Sequence, residues 1–195
     1  MIAPIALLVI VVVFRVLVGI GGSGDLHGML HNFSPLAAIA LCSAAYFPRR
    51  IAMALPLAAL LLSDIALNIF YKVPFFTGEI IPRYLALALI CVIGFAMRGK
   101  VRLPGLLAGS FAGSLLFFVI TNTGSWLSDP AYAKTAAGWL QALTVGTGNP
   151  AYPPTIWFYR HTLVSDLAFT LLFFACIAFG NRKAEQPVQA AVAAR

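Results

Sequence analysis

The chain has 195 residues, 61% of them hydrophobic and only 10% charged, with a mean hydropathy of +0.93. A soluble domain is nearer half apolar and a quarter charged, so the composition excludes an ordinary water-soluble globule and points to an all-α integral membrane protein. The net charge of +7 does not signal nucleic acid: the basic residues stand at the ends of apolar runs, not in a patch interleaved with aromatics.

Apolar runs of about 20 residues match a hydrocarbon core of roughly 30 Å, and the pattern predicts six spans, at 2–20, 35–47, 51–71, 82–98, 104–122 and 155–180. The first reads IAPIALLVIVVVFRVLVGI. It lacks a basic leader and is too long for the apolar part of a signal peptide, so it is read as a retained helix, with Arg15 inside it. A glycine-rich stretch, GGSGDLHGMLHNFSP, follows and holds His27, His31 and Asn32. Neutral imidazole ligates transition metals, including the cobalt of a corrinoid. That makes His27 and His31 candidate metal ligands; solvated loop histidines are the plainer reading. The second span is short, about 20 Å of helix, with Ser34 as N-cap and Pro35 at the first helical position. A half-length helix implies that the preceding loop dips toward the membrane, where irregular backbone must be buried in protein or line a wet cavity.

Span three carries a stripe of Asp64, Asn68 and Tyr71, and Arg83 stands at the mouth of span four. Span five has Gly105, Gly109 and Gly113 at intervals of four, a spacing that lets helices approach closely and is read as internal packing. Trp126, Tyr152, Trp157 and Tyr159 cluster near one interface as an aromatic belt, with some of them free to lid a cavity. On span six, Tyr159, Thr162, Asp166 and Thr170 share one helix face. Arg160 points away from Asp166, since six residues are about 600° of turn. LLSDIAL and LVSDLAF suggest an inverted internal repeat of spans three and six. Cys42, Cys91 and Cys176 each lie inside an apolar run with no C-x-x-C pair and are read as packing residues.

Arg49, Arg50, Arg98, Lys100, Arg102, Arg182, Lys183 and Arg195 fall on one side of a six-span topology, and Lys72, Arg83 and Lys134 on the other. This bias places both termini in the cytoplasm. A domain over 1–183 with a flexible tail at 184–195 follows. Arg15, Asp64, Arg83, Arg160, His161 and Asp166 then gather in the outer half of the bilayer, over an apolar inner half. An intramembrane charge costs roughly 2.5–3.5 kcal/mol and so has a partner or a role. Either Arg15 or Arg160 neutralises Asp64 or Asp166 and locks helices together, or these groups face a polar cavity open to the outside. An aspartate without a partner could carry a proton.

The motifs HNFSPLAAIALCSAAYF, LPLAALLLSDIAL, FFVITNTGSWLSDPAYAKTAAG and FYRHTLVSDLAFT together resemble a bacterial six-span, transporter-type family, itself similar to the substrate-binding S components of energy-coupling-factor vitamin transporters. The resemblance covers most of residues 12–175. It implies a six-helix S-component-like bundle in the inner membrane, with a vitamin-sized outward pocket under loop one. Solitary S-component-like proteins for cobalamin share the pattern, so cobalamin is the specific candidate, as transported ligand and not as cofactor. Whether an energising module is a partner stays open, because span one carries no small-residue docking face.

The leading expectation is therefore a transporter that binds a small molecule, with no chemical step. Arg15, Asp64, Arg83, Tyr159, Arg160, His161 and Asp166 orient the ligand, Asn32, Asn68 and Asn122 add hydrogen bonds, and His27 or His31 reaches a cobalt. A proton-coupled transporter using Asp64 and Asp166 is the second expectation. An intramembrane hydrolase using Ser110 or Ser114 with His161 is a remote third, on a poor dyad signal.

Overall fold

The computed structural model describes residues 2–20, 34–75, 78–149 and 153–193, and among these all regular secondary structure is helical. Among the described residues there are seven helices: α1 Ile2–Ile20, α2 Leu36–Tyr46, α3 Arg49–Tyr71, α4 Ile80–Ala96, α5 Leu103–Ser128, α6 Ala136–Leu143 and α7 Thr155–Ala193. Three of them are long and apolar enough to cross a membrane, at Arg49–Tyr71, Leu103–Ser128 and Thr155–Ala178. Shorter apolar helical stretches run over Leu7–Ile20, Leu36–Tyr46 and Ile80–Ala96.

The shortest of the bundle helices is its centre. Every residue of α2 from Leu36 to Ala45 is buried, which is the mark of a helix apolar all round. Its 11 residues make only about 16 Å of helix, and the sequence LAAIALCSAAY keeps it thin enough for α3, α4, α5 and α7 all to pack on it. Gly94 of α4 sits directly against the Leu41 carbonyl and the Ala44 methyl group, an approach that a side chain would block. Gly109 faces Leu41 and Met97, and Gly113 faces Ile90, so the glycine stripe of α5 is spent on internal packing.

A buried helix needs its terminal carbonyls satisfied. Arg98 does this for α2: its Nε donates to the Ala44 carbonyl at 2.7 Å, and Nη2 donates to that of Phe47. Pro56 inside α3 raises a similar problem, because proline has no N–H and leaves the carbonyl four residues earlier without its helical donor. That carbonyl belongs to Ala52, and the hydroxyl of Ser43 on α2 donates to it at 2.8 Å.

The helices lie where the apolar runs predict them, with four differences. α2 starts at Leu36 with Pro35 as its N-cap, and Ser34 makes no side-chain cap. α5 continues past 122 to Ser128. Along its polar end Thr121, Asn122, Ser125 and Ser128 each bond back to the carbonyl four residues earlier, which satisfies these side chains within the helix. α6 is an additional short helix, started by Thr135, whose hydroxyl accepts from the Gly138 N–H. α7 runs on to Ala193, so the described part of the segment after 183 is helical.

Large apolar side chains cover the outside of the bundle, among them Ile10, Leu17, Ile69, Ile81, Val92, Phe111, Leu127 and Leu172. An apolar exterior around a helical bundle is what contact with lipid requires.

Candidate functional site

At one end of the bundle, where α1, α3 and α5 finish and α2, α4 and α7 begin, the helices part around a cavity of about 430 Å³. The short α2 creates it: the helix starts at Leu36, deep among its neighbours, and Ser34, Leu36 and Ala37 form the inner end of the space. Below lies the packed core of Leu41, Leu87, Ile90 and Leu106. Arg49, Arg50, Arg98, Lys100 and Arg102 mark the other end of the bundle.

One wall is cationic. Arg15 of α1 and Arg83 of α4 both line the cavity, and both turn toward the carboxylate of Asp64 on α3 behind them. Arg15 Nη1 donates to Asp64 Oδ1 at 2.7 Å and to the Ser63 hydroxyl at 2.5 Å. Ser63 in turn donates to the Ala59 carbonyl at 2.6 Å. Arg83 is 3.5 Å from Asp64, and its Nε donates to the Glu79 carbonyl at 3.1 Å. Asp64 is only 3% exposed, whereas the arginine side chains keep 16% and 27% of their surface. Two guanidiniums against one carboxylate leave one positive charge facing the cavity.

The facing wall, from α5 and α7, is aromatic and hydroxylic, with Phe117, Phe118, Thr121 and Asn122 opposite Thr155, Phe158 and Thr162. At its depth Asp166, 1% exposed, also lines the cavity. Ser114 of α5 donates to Asp166 Oδ2 at 2.5 Å. The backbone N–H of Ala38, in the first turn of α2, also interacts with this carboxylate, yet Oδ1 has no hydrogen bond of normal geometry. Among the described residues no cation bridges Asp166. The free N–H groups of a helix N-terminus favour a nearby anion, which accounts for a carboxylate held here without a basic partner.

The expected site residues divide accordingly. Arg15, Arg83, Asn122 and Asp166 line the cavity, and Asp64 stands behind the two arginines and aims them. Asn68, Tyr159, Arg160 and His161 are not among its lining residues. Tyr159 stacks on Phe118, with ring centroids 5.0 Å apart. Arg160 is exposed and lies over the Trp157 ring at 5.3 Å. The α7 face that reaches the cavity is Thr155, Phe158, Thr162 and Asp166; Thr162 and Asp166 belong to the expected stripe, whereas Tyr159 and Thr170 are not lining residues. His27, His31 and Asn32 lie outside the described residues. Of the paired alternatives, Arg15 with Asp64 is the ion pair that forms.

Sequence reasoning passed over Ser63 as Arg15's second acceptor, and named Ser114 only as a nucleophile. For Ser63 the signal was present in the serine–aspartate step at 63–64, since a serine in a membrane helix needs an acceptor; Ser114 lies in no such step. Ser165 donates to the Ser34 carbonyl at 3.0 Å and so ties α7 to the residues that open α2. Thr170 donates to the Ser110 hydroxyl at 3.1 Å.

A folded connection stands beside the site. Trp139 Nε1 donates to Thr123 at 2.9 Å, Trp126 Nε1 to the Ala133 carbonyl at 2.8 Å, and Lys134 to the carbonyls of Trp126 and Asp129. These bonds hold α6 against the end of α5, so the tryptophans here fasten a loop. Among the described residues no cluster of three or more His, Cys, Asp or Glu could hold a metal ion.

The chain belongs to the family of unknown function DUF6580, whose model matches residues 1–189. No curated protein and no solved structure matches it.

Proposed function

We propose that this family member is a membrane transporter of the substrate-binding kind, which captures a vitamin-sized molecule in the cavity between α1–α5 and α7 and passes it inward by tilting of the bundle. In this reading those six helices all cross the inner membrane, with both termini in the cytoplasm, in an S-component-like arrangement. The observation that carries it is the cavity itself: about 430 Å³, mostly apolar, with a few convergent polar groups. That is the character of a small-molecule site. Placing Arg15, Arg83 and Asp166 at one end of a lipid-facing bundle is costly unless they meet a ligand or water. The excess of lysine and arginine at the opposite end supports an outward-facing mouth.

Cobalamin remains the specific candidate from the resemblance, with His27 or His31 as the cobalt ligand. A corrinoid would need the cavity to extend beyond its described walls. The hydroxyls of Ser110 and Ser114 are engaged by Thr170 and Asp166, which favours a binding role for this region over a hydrolase.

A proton-coupled mechanism is the second reading, and Asp166 favours it: the carboxylate is buried, lines the cavity and has no cation beside it among the described residues. Asp64, tied to Arg15 at 2.7 Å, is less available for that task.

Mass spectrometry and an absorption spectrum of the full chain, purified in mild detergent after exposure to a cell extract, test the proposal. A stoichiometric small molecule, with a corrinoid spectrum if cobalamin is right, is the expected result. A chain that retains nothing from the extract would overturn tight binding. Uptake that collapses with a protonophore and with Asp166→Asn would instead establish the ion-coupled reading.

A further inference from the structure

Resting on the binding role above, we propose that the cavity selects a zwitterion: a small molecule with a carboxylate or phosphate at one end and a protonated amine at the other. The two ends of such a ligand correspond to two poles on different walls. At the cationic pole, Arg15 and Arg83 share the single carboxylate of Asp64, so one positive charge is uncompensated. Asp64 does not line the cavity, whereas both arginines do. A ligand anion therefore meets arginine N–H groups without meeting the aspartate.

At the anionic pole, Asp166 is 1% exposed and lines the cavity. Ser114 donates to Oδ2 and the Ala38 N–H also interacts with the carboxylate, while Oδ1 has no hydrogen bond of normal geometry among the described residues. A buried carboxylate with polar donors but no cation beside it among the described residues gains from a charged donor. An anion alone would leave this carboxylate without a cation, and an amine alone would face the surplus guanidinium. The formal charges of Arg15, Arg83, Asp64 and Asp166 cancel, so the site holds a separated dipole and not a net charge. A ligand with the opposite dipole satisfies both poles with charge-assisted hydrogen bonds. Phe117, Phe118 and Phe158 also line the cavity and suit an apolar or aromatic body.

Binding to the full chain in detergent, measured by calorimetry and thermal shift, tests this with matched probes. The zwitterions are 4-(aminomethyl)benzoate and 4-aminobutyl phosphate. The singly charged controls are 4-methylbenzoate, butyl phosphate, 4-methylbenzylamine and butylamine. Each zwitterion should bind roughly ten- to a hundredfold more tightly than either of its halves, the gain expected of one more hydrogen bond to a charged group. Comparison of the two zwitterions tells carboxylate from phosphate. Asp166→Asn retains an acceptor for Ser114 and should reduce a zwitterion to the affinity of its anion control. Arg83→Gln should reduce it to that of its amine control, with Arg83→Lys recovering part of the loss; unliganded melting temperatures show whether each variant is folded. The proposal is overturned if anions bind as well as zwitterions, if Asp166→Asn leaves zwitterion affinity unchanged, or if no probe binds. A neutral or singly charged molecule retained from cell extract would refute the zwitterion while leaving the binding role intact. Retention of nothing at all would remove both.

Discussion

Replacing Asp64 with asparagine isolates the electrostatics that hold the cationic wall. The carboxylate is 3% exposed and lies 2.7 Å from Arg15 and 3.5 Å from Arg83. Asparagine keeps the shape but leaves two guanidiniums facing one another with no anion between them. Removing one partner of a buried pair costs about 3–5 kcal/mol. Because the arginine side chains are 16% and 27% exposed, screening through the cavity lowers the expected cost to about 2–3 kcal/mol. Arg83→Gln leaves the Arg15–Asp64 pair whole and should cost under about 1 kcal/mol, as partly exposed pairs do. The double variant Arg15→Gln with Asp64→Asn removes both charges and should recover about 1–2 kcal/mol of the summed single losses. Reversible unfolding in mixed micelles, followed by circular dichroism as SDS is titrated in, supplies these numbers. The reasoning fails if Asp64→Asn costs no more than Arg83→Gln, or if the double variant equals the sum of its parts.

Two further substitutions probe the packing. Gly94→Ala places a methyl group 2.7 Å from Ala44 Cβ, forcing α4 off α2, and should cost about 1–3 kcal/mol in the same unfolding assay; a neutral result would mean that the two helices are not so closely apposed. Thr135→Ala removes the cap of α6, worth about 1 kcal/mol. Limited proteolysis should then cut faster within 129–149 while the rest of the bundle stays intact, and an unchanged cleavage pattern would show that the tryptophan bonds alone hold the loop.

The helices were legible in the sequence because lipid imposes a coarse rule: backbone polar groups must bond within a helix and side chains must be apolar. Runs such as RRIAMALPLAALLLSDIALNIFY and the proline-led start of α2 show their positions to within a few residues. Three of these helices are individually long and apolar enough to span, and the others take their place by packing. The central position of α2 was not legible, since a short alanine-rich run reads as a weak span; only the way four neighbours close on it reveals a core. The far end of α5 was hidden because TNTGSWLS looks like a loop until its side chains are seen bonding back to the helix. For the site, charge rarity was enough to single out Arg15, Asp64, Arg83 and Asp166. Rarity says nothing about rotation, however: Phe158 joins Thr162 and Asp166 on the cavity lining, and Tyr159, Arg160 and His161 do not. The pairing of Arg15 with Asp64 depends on which helices are neighbours, which composition does not encode.

The account stands on a wet cavity that opens to the outside, and thiol accessibility tests it most directly. Thr121→Cys places a thiol on the cavity wall, and Ile69→Cys places one on the apolar exterior, where Ile69 is 73% exposed. Both belong in a background with Cys42, Cys91 and Cys176 replaced by alanine. A charged, membrane-impermeant maleimide added to intact cells should label Thr121→Cys and spare Ile69→Cys. Labelling of Thr121→Cys only after the cells are permeabilised, or not at all, would contradict an outward-facing binding cavity.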